Sequence, residues 1–187
     1  MIIVGAGEFG QVIQYYTGAK LCAHREFAKD GIAVFEEEKP TTVLVCIGDN
    51  YARKRVMDEA VERGHKLTLW IHHKAYVDAV ISSNSFVFDY NNFQPYSTFG
   101  RNCVFWSGNH IGHHARIGNH CFITSHVCIG GRAVIGDSCF IGMNATVFDH
   151  VTIGNDCVIA AGAVVDRDIP AGHTLSRKGV LVANDRT

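Results

Sequence analysis

The sequence predicts two parts: a small α/β domain over residues 1–76, then an all-β solenoid over residues 77–187. Two patterns carry this reading. The first 76 residues alternate strand, turn and helix signals, which implies a small parallel sheet. From Ile81 onward a large apolar residue recurs at every sixth position for fifteen repeats, ending at Val165. If half of all positions were apolar, chance would give such a run about 3 times in 10⁵. Neither a helical period of 3.6 nor strand alternation explains a period of six, and a repeat this short and this persistent means a solenoid.

The α/β part reads as follows. MIIV is a strand, GAGEFG a tight glycine turn, and QVIQYYTG the helix that follows. A weak strand is expected near Lys20–Ala23, and TTVLVCIG is a clear one. NYARKRVMDEAVERG is a helix ended by Gly64, and KLTLWI reads as a third clear strand. Gly5, Gly7 and Gly10 form a GxGxxG between strand and helix, where phosphate binding at the helix N-terminus is physically natural. A glycine turn that serves only close packing has the same sequence.

Along the solenoid, Gly follows the aliphatic position at 112, 118, 130, 136, 142 and 154. Four residues after that aliphatic position comes a small side chain: Ala115, Cys121, Val127, Ala133, Cys139 and Ala145. HIGHHARIGNHCFITSH, residues 110–126, holds five of the eleven histidines of the chain. Apolar residues make up 47%, charged residues 19%, and the net charge is −1. That profile is ordinary for a soluble globular protein and offers no basic surface for nucleic acid. No apolar run reaches the roughly 20 residues of a membrane helix, and the N-terminus lacks the charged region and cleavage site of a signal peptide. Seven cysteines without a CxxC pair fit reduced thiols, hence a cytoplasmic protein.

The repeat resembles the hexapeptide repeat of left-handed parallel β-helix acyltransferases. GAGEFG, IGDNYARKRV, WIHHKA and the hexads together resemble the NeuD/PglD-type sugar acyltransferases, which join a Rossmann-like domain to such a β-helix. The resemblance implies three hexads to a triangular coil, so residues eighteen apart stack about 4.8 Å apart. Cys103, Cys121, Cys139 and Cys157 then form one inward column, read as core packing. His114, His120 and His126 fall on three different corners, too far apart for a tetrahedral metal site.

The resemblance further implies a homotrimer with no metal, acetyl-CoA as co-substrate, and an amine or hydroxyl of a nucleotide-linked sugar as acceptor, in surface glycan biosynthesis. His113 aligns with the family's catalytic histidine, a natural general base because its pKa lies near neutrality. His114 stands where many relatives carry an acidic residue that orients that base. Gly131, one coil on from His113, is the expected oxyanion donor through its N–H and a CoA contact, with Phe122, Met143 and Ala161. Nucleotide-sugar contacts are expected at Gly7, Glu8 and Phe9, where relatives often carry glycine-histidine in place of Glu8-Phe9. A second set is Gly48, Asp49, Asn50 and Arg53, with Arg53 on phosphate. The turn is expected to hold uridine or thymidine diphosphate rather than NAD. Asn109 and Trp106 are expected to shape the acceptor pocket, and His110, His120, His126 and His150 to be surface or interface residues. The rival readings are acylation of a free sugar, an acyl donor other than acetyl, and a non-catalytic trimeric β-helix binding protein.

Overall fold

The computed structural model describes residues 1–5, 7–22 and 40–184 and divides into two compact units, Met1–Leu69 and Trp70–Thr187. In the first unit, β1 (Ile2–Val4), β2 (Lys20–Cys22), β3 (Thr42–Val45) and β4 (Lys66–Leu67) form a parallel sheet in the order β2-β1-β3-β4. Helix α1 spans Glu8–Thr17 and closes on Gly18, whose φ of 63° is the left-handed turn that glycine adopts without strain. Helix α2 spans Asn50–Glu62 and is capped by the Asp49 carboxylate, which accepts from the Ala52 N–H at 2.8 Å. Apolar residues of the strands and the inner side of α2 (Val4, Val43, Val45, Val56, Met57, Ala60) make the core of this unit. The weak strand near Lys20 is present; Ala23, its expected last residue, lies outside the described residues.

KLTLWI is not one strand. Lys66–Leu67 pairs with β3, whereas Trp70–Ile71 pairs in parallel with Phe86–Val87 in the second unit. The structure therefore divides at 69/70, seven residues before the expected boundary, because the first solenoid strand captures Trp70.

The second unit is a parallel β-solenoid of short strands on three faces. Val104–Phe105, His110–Ile111 and Arg116–Ile117 represent the first, second and third face, and Phe122–Ile123 returns to the first. Partners differ by eighteen residues through the middle of the solenoid, as in Phe122↔Phe140, Cys128↔Thr146 and Val134↔Thr152. The last turn shortens to sixteen, as in Val158↔Thr174. Of the fifteen residues in the six-residue register, fourteen are buried and Ile81 packs against them half-buried. The inward cysteine column is also present. Each thiol donates to a main-chain carbonyl of the next coil: Cys103 to Gly118, Cys121 to Gly136 and Cys139 to Gly154, all at 3.1 Å, and Cys157 to Pro170 at 3.2 Å. Hydrogen bonding with the neighbouring thiols and burial hold the Cys121 thiol well above its ordinary pKa, so it packs as a neutral group.

The histidine-rich stretch has a backbone origin. Each corner places one residue in the left-handed conformation, six residues apart, and His114, His120, His126 and His150 occupy this register with φ of 59–64°. Asn84, Asn102, Asn144, Asp156, Gly108 and Gly162 occupy it elsewhere. Asn, Asp, His and Gly are the residues that tolerate this conformation best. Much of the cluster is thus a corner requirement.

Candidate active site

The corner between the second and third faces gathers the most chemistry. His113 stands there with its Nδ1 3.1 Å from Nδ1 of His114, the two rings nearly perpendicular at 89°. His114 occupies the left-handed position, and its ring lies 4.9 Å from Tyr96, one coil earlier. The main chain of His113 is also fixed: its N–H donates to Gln94 Oε1 at 3.0 Å. Gly131 lies beneath the imidazole. A Cβ there would sit 3.1 Å from both Cε1 and Nε2 of His113, so glycine makes room for the ring. His113, His114 and Gly131 therefore meet at one exposed corner. Gln94 and Tyr96 complete it; they stand nineteen and eighteen residues before the histidines they touch, a spacing the coil length makes legible.

The expected oxyanion role of Gly131 needs correction. Its N–H donates to Asp149 Oδ1 at 2.7 Å and in this arrangement is not available to a substrate. The bond belongs to a recurring device of the coil. Asp137 accepts from Asn119 N–H, Asn155 from Asp137 N–H and Asp168 from Thr152 N–H, at 2.7–2.8 Å.

The expected CoA contacts do not join His113 within one chain. Phe122 lies on the first face, which is opposite the His113 corner, and is buried in a stack on Phe140. Met143 and Ala161 stand in one exposed column at the corner between the first and second faces.

Asn109 is not a substrate contact. It is 1% exposed, donates to the Trp106 carbonyl, and accepts the Val127 N–H at 2.8 Å. It continues an inward asparagine column that starts at Asn91, whose Oδ1 accepts the Asn109 N–H. Trp106 stacks on Phe88 with centroids 4.2 Å apart. His120 is likewise buried rather than at the surface. Its Nδ1 pairs with Asn102 Nδ2 at 2.8 Å, and Asn84 Nδ2 donates to Asn102 Oδ1 at 2.7 Å. His120→Ala is expected to cost about 1–3 kcal/mol of stability, because the Asn102 amide loses its buried acceptor, with kcat near wild type. Urea unfolding beside steady-state kinetics checks this. His110, His126 and His150 are exposed. No group of three His, Cys, Asp or Glu side chains among the described residues is placed to hold a metal ion.

In the first unit the strand order reverses between β1 and β3, and ligands of open α/β sheets bind outside the carboxyl ends of strands at such a point. The loops after these two strands meet there, with Gly5 so close that a Cβ would fall 2.3 Å from the Cys46 carbonyl oxygen. Gly7 and Glu8 lie exposed on one side of this crevice, and Gly48 and Asp49 on the other. Gly7 caps α1 without a side-chain hydrogen bond, which leaves first-turn N–H groups for an anion. The Glu8 carboxylate in that same turn opposes one.

Phe9 and Arg53 turn inward instead. Phe9 is buried, and Arg53 is 0% exposed. The guanidinium donates to the carbonyls of Ile47 at 2.9 Å and Gly48 at 3.2 Å, and to Asn50 Oδ1 at 2.7 Å. Burial raises the Cys46 thiol pKa well above its ordinary value, and the Arg53 charge beside it pulls the other way. Arg53 thus holds the loop that carries Gly48 and Asp49, rather than a phosphate, and Asn50 is part of the same buried cluster. Arg53→Ala is expected to destabilise the protein by about 3 kcal/mol or more, since three acceptors lose a charged donor together. A phosphate contact would instead weaken nucleotide binding with stability unchanged. Unfolding and calorimetry on the intact chain separate the two.

Comparison with known proteins agrees with the solenoid. Residues 132–167 match the family described as bacterial transferase hexapeptide (six repeats). The chain is similar in fold to perosamine N-acetyltransferase from Caulobacter crescentus in complex with CoA and GDP-perosamine, at 24% identity over 94% of this chain and 92% of that one, with a TM-score of 0.83. It is similar also to the acetyltransferase domain of PglB from Neisseria gonorrhoeae, at 23% identity over 94% and 95% of the two chains, with a TM-score of 0.84. No curated protein matches the chain. No helix among the described residues is long and apolar enough to cross a membrane.

Proposed function

We propose that this chain is an acetyl-CoA-dependent acetyltransferase acting on an amino or hydroxyl group of a nucleotide-linked sugar, with His113 as its base. The observation that carries the reading is the His113–His114 pair on the corner made open by Gly131. His113 Nδ1 is engaged by His114, and Nε2 makes no hydrogen bond among the described residues. An acceptor nitrogen or oxygen adds to the thioester carbonyl as its proton passes to that Nε2. The His113 ring, now cationic, keeps its Nδ1–H on His114 Nδ1. The C–S bond then breaks, CoA leaves as the thiolate, and the acetyl group stays on the sugar. The likeness to acetyltransferases over nearly the whole chain supports this reading, as does the hexapeptide match.

The remaining parts of the proposal follow from it. The crevice at Gly7, Glu8, Gly48 and Asp49 is the place for the nucleotide. The N-terminal unit is Rossmann-like, and the coil is left-handed. The protein is a homotrimer, in which the exposed Met143 and Ala161 of a neighbouring copy stand beside His113 to hold acetyl-CoA. The test is release of free CoA from acetyl-CoA, followed with a thiol reagent across a panel of amino- and hydroxy-sugar nucleotides. Release that depends on one of these sugars supports a transferase. A protein that binds such a sugar yet releases no CoA is the binding scaffold instead.

A further inference from the structure

The three corners carry three columns of left-handed residues. One runs Tyr90, Gly108, His126, Asn144, Gly162 and another Asn84, Asn102, His120, Ser138, Asp156. The third, on the His113 corner, runs Tyr96, His114, Arg132, His150. Arginine is the single permanent cation in this register, and it stands one coil, about 4.8 Å, from His114 and from His150. Like Tyr90 and Tyr96, it is not one of the short polar residues that this backbone conformation favours. Arg132 is exposed, and its guanidinium makes no hydrogen bond or ion pair among the described residues. The carboxylates of this corner are Asp149, whose Oδ1 accepts from the Gly131 N–H, and, one coil further on, Asp166 and Asp168, which pair with Arg167 and the Thr152 N–H respectively. Arg116, exposed at the start of the third face, adds a further cation close by. The result is two arginines, Arg116 and Arg132, beside an exposed imidazole, with Asp149 held on the main chain by the Gly131 N–H.

We propose that Arg132 is the anion-binding residue of the His113 site and receives a phosphate group of a phosphate-bearing substrate. The proposal rests on the acetyltransferase reading. The chemistry recognised is a phosphate or diphosphate oxygen pair, which a guanidinium meets with two parallel N–H donors. Two sources carry it: the phosphates of CoA and the diphosphate of the nucleotide-linked sugar. Arg132 holds that substrate in register with His113 and takes no proton itself. It is therefore a positioning residue, and its loss falls on KM more than on kcat.

The experiment compares wild type, Arg132→Gln and Arg132→Lys with four substrates: acetyl-CoA, S-acetylpantetheine, the nucleotide-linked sugar and the same sugar without its nucleotide. Arg132→Gln is expected to raise KM about ten- to hundredfold for one phosphate-bearing substrate and to leave its phosphate-free counterpart unaffected. Arg132→Lys is expected to recover part of the loss. An effect on acetyl-CoA but not on S-acetylpantetheine identifies the CoA phosphates; the same split between the two sugars identifies the diphosphate. Unchanged KM for both phosphate-bearing substrates, or an equal loss with the phosphate-free ones, overturns the proposal alone. A wild-type protein that neither binds nor turns over acetyl-CoA or any sugar nucleotide overturns the acetyltransferase reading, and the proposal with it.

Discussion

Replacing His113 by alanine is expected to lower kcat by about 10²–10⁴-fold, the usual contribution of a positioned proton acceptor, while acetyl-CoA affinity stays nearly intact. The backbone of this corner is held by groups other than the imidazole. Gln94 accepts the His113 N–H and Asp149 accepts the Gly131 N–H, so the substitution removes the base and leaves the coil standing. His114→Ala is expected to cost less. It removes the acceptor that orients His113 through Nδ1 but leaves Nε2 in place. Steady-state kinetics of both variants on one substrate decides the roles. Near-full kcat in His113→Ala, or a larger loss in His114→Ala, would move the base elsewhere.

The second large effect concerns the solenoid core. Phe105→Ala is expected to destabilise the protein by about 3–5 kcal/mol. Phe93, Phe99 and Phe105 come from the three faces and meet inside the solenoid: Phe93 and Phe99 centroids are 4.6 Å apart, and Phe105 stands edge-on to both at 4.9 and 5.0 Å. Truncation empties the middle of a coil in which Phe105 is held by the two-residue strand Val104–Phe105 against the longer strand Asn92–Phe99, and a fixed backbone ladder has little freedom to collapse into the gap. Denaturant unfolding measures the loss. A cost under about 1 kcal/mol would mean that the site relaxes, contrary to a close-packed interior.

The solenoid was legible because its rule is short. One inward residue per six must be apolar, and the run from Ile81 to Val165 is found in the core. The eighteen-residue coil also placed His113 over Gly131 and put His114, His120 and His126 on separate corners. What spacing alone does not reveal is which way a polar side chain turns. Arg53 follows the loop that carries Gly48, as a phosphate ligand would, yet its reach matches the loop's own carbonyls. His120 looks like its neighbours in the repeat, but Asn102 and Asn84 beneath it make an inward amide column. Asn109 was hidden in the same way by Asn91. The edge between the units was missed because KLTLWI has continuous strand character, and only pairing with Phe86–Val87 shows where it divides.

The central claim is acetyl transfer to a nucleotide-linked sugar at the His113 corner. The most direct measurement is mass spectrometry of the sugar nucleotide after incubation with purified protein and isotopically labelled acetyl-CoA, with His113→Ala in parallel. The account predicts one labelled acetyl group on the sugar, matched by one free CoA, with formation in His113→Ala slower by the factor given above. A sugar nucleotide unchanged in mass across the panel, or labelling equally fast in wild type and His113→Ala, would contradict it.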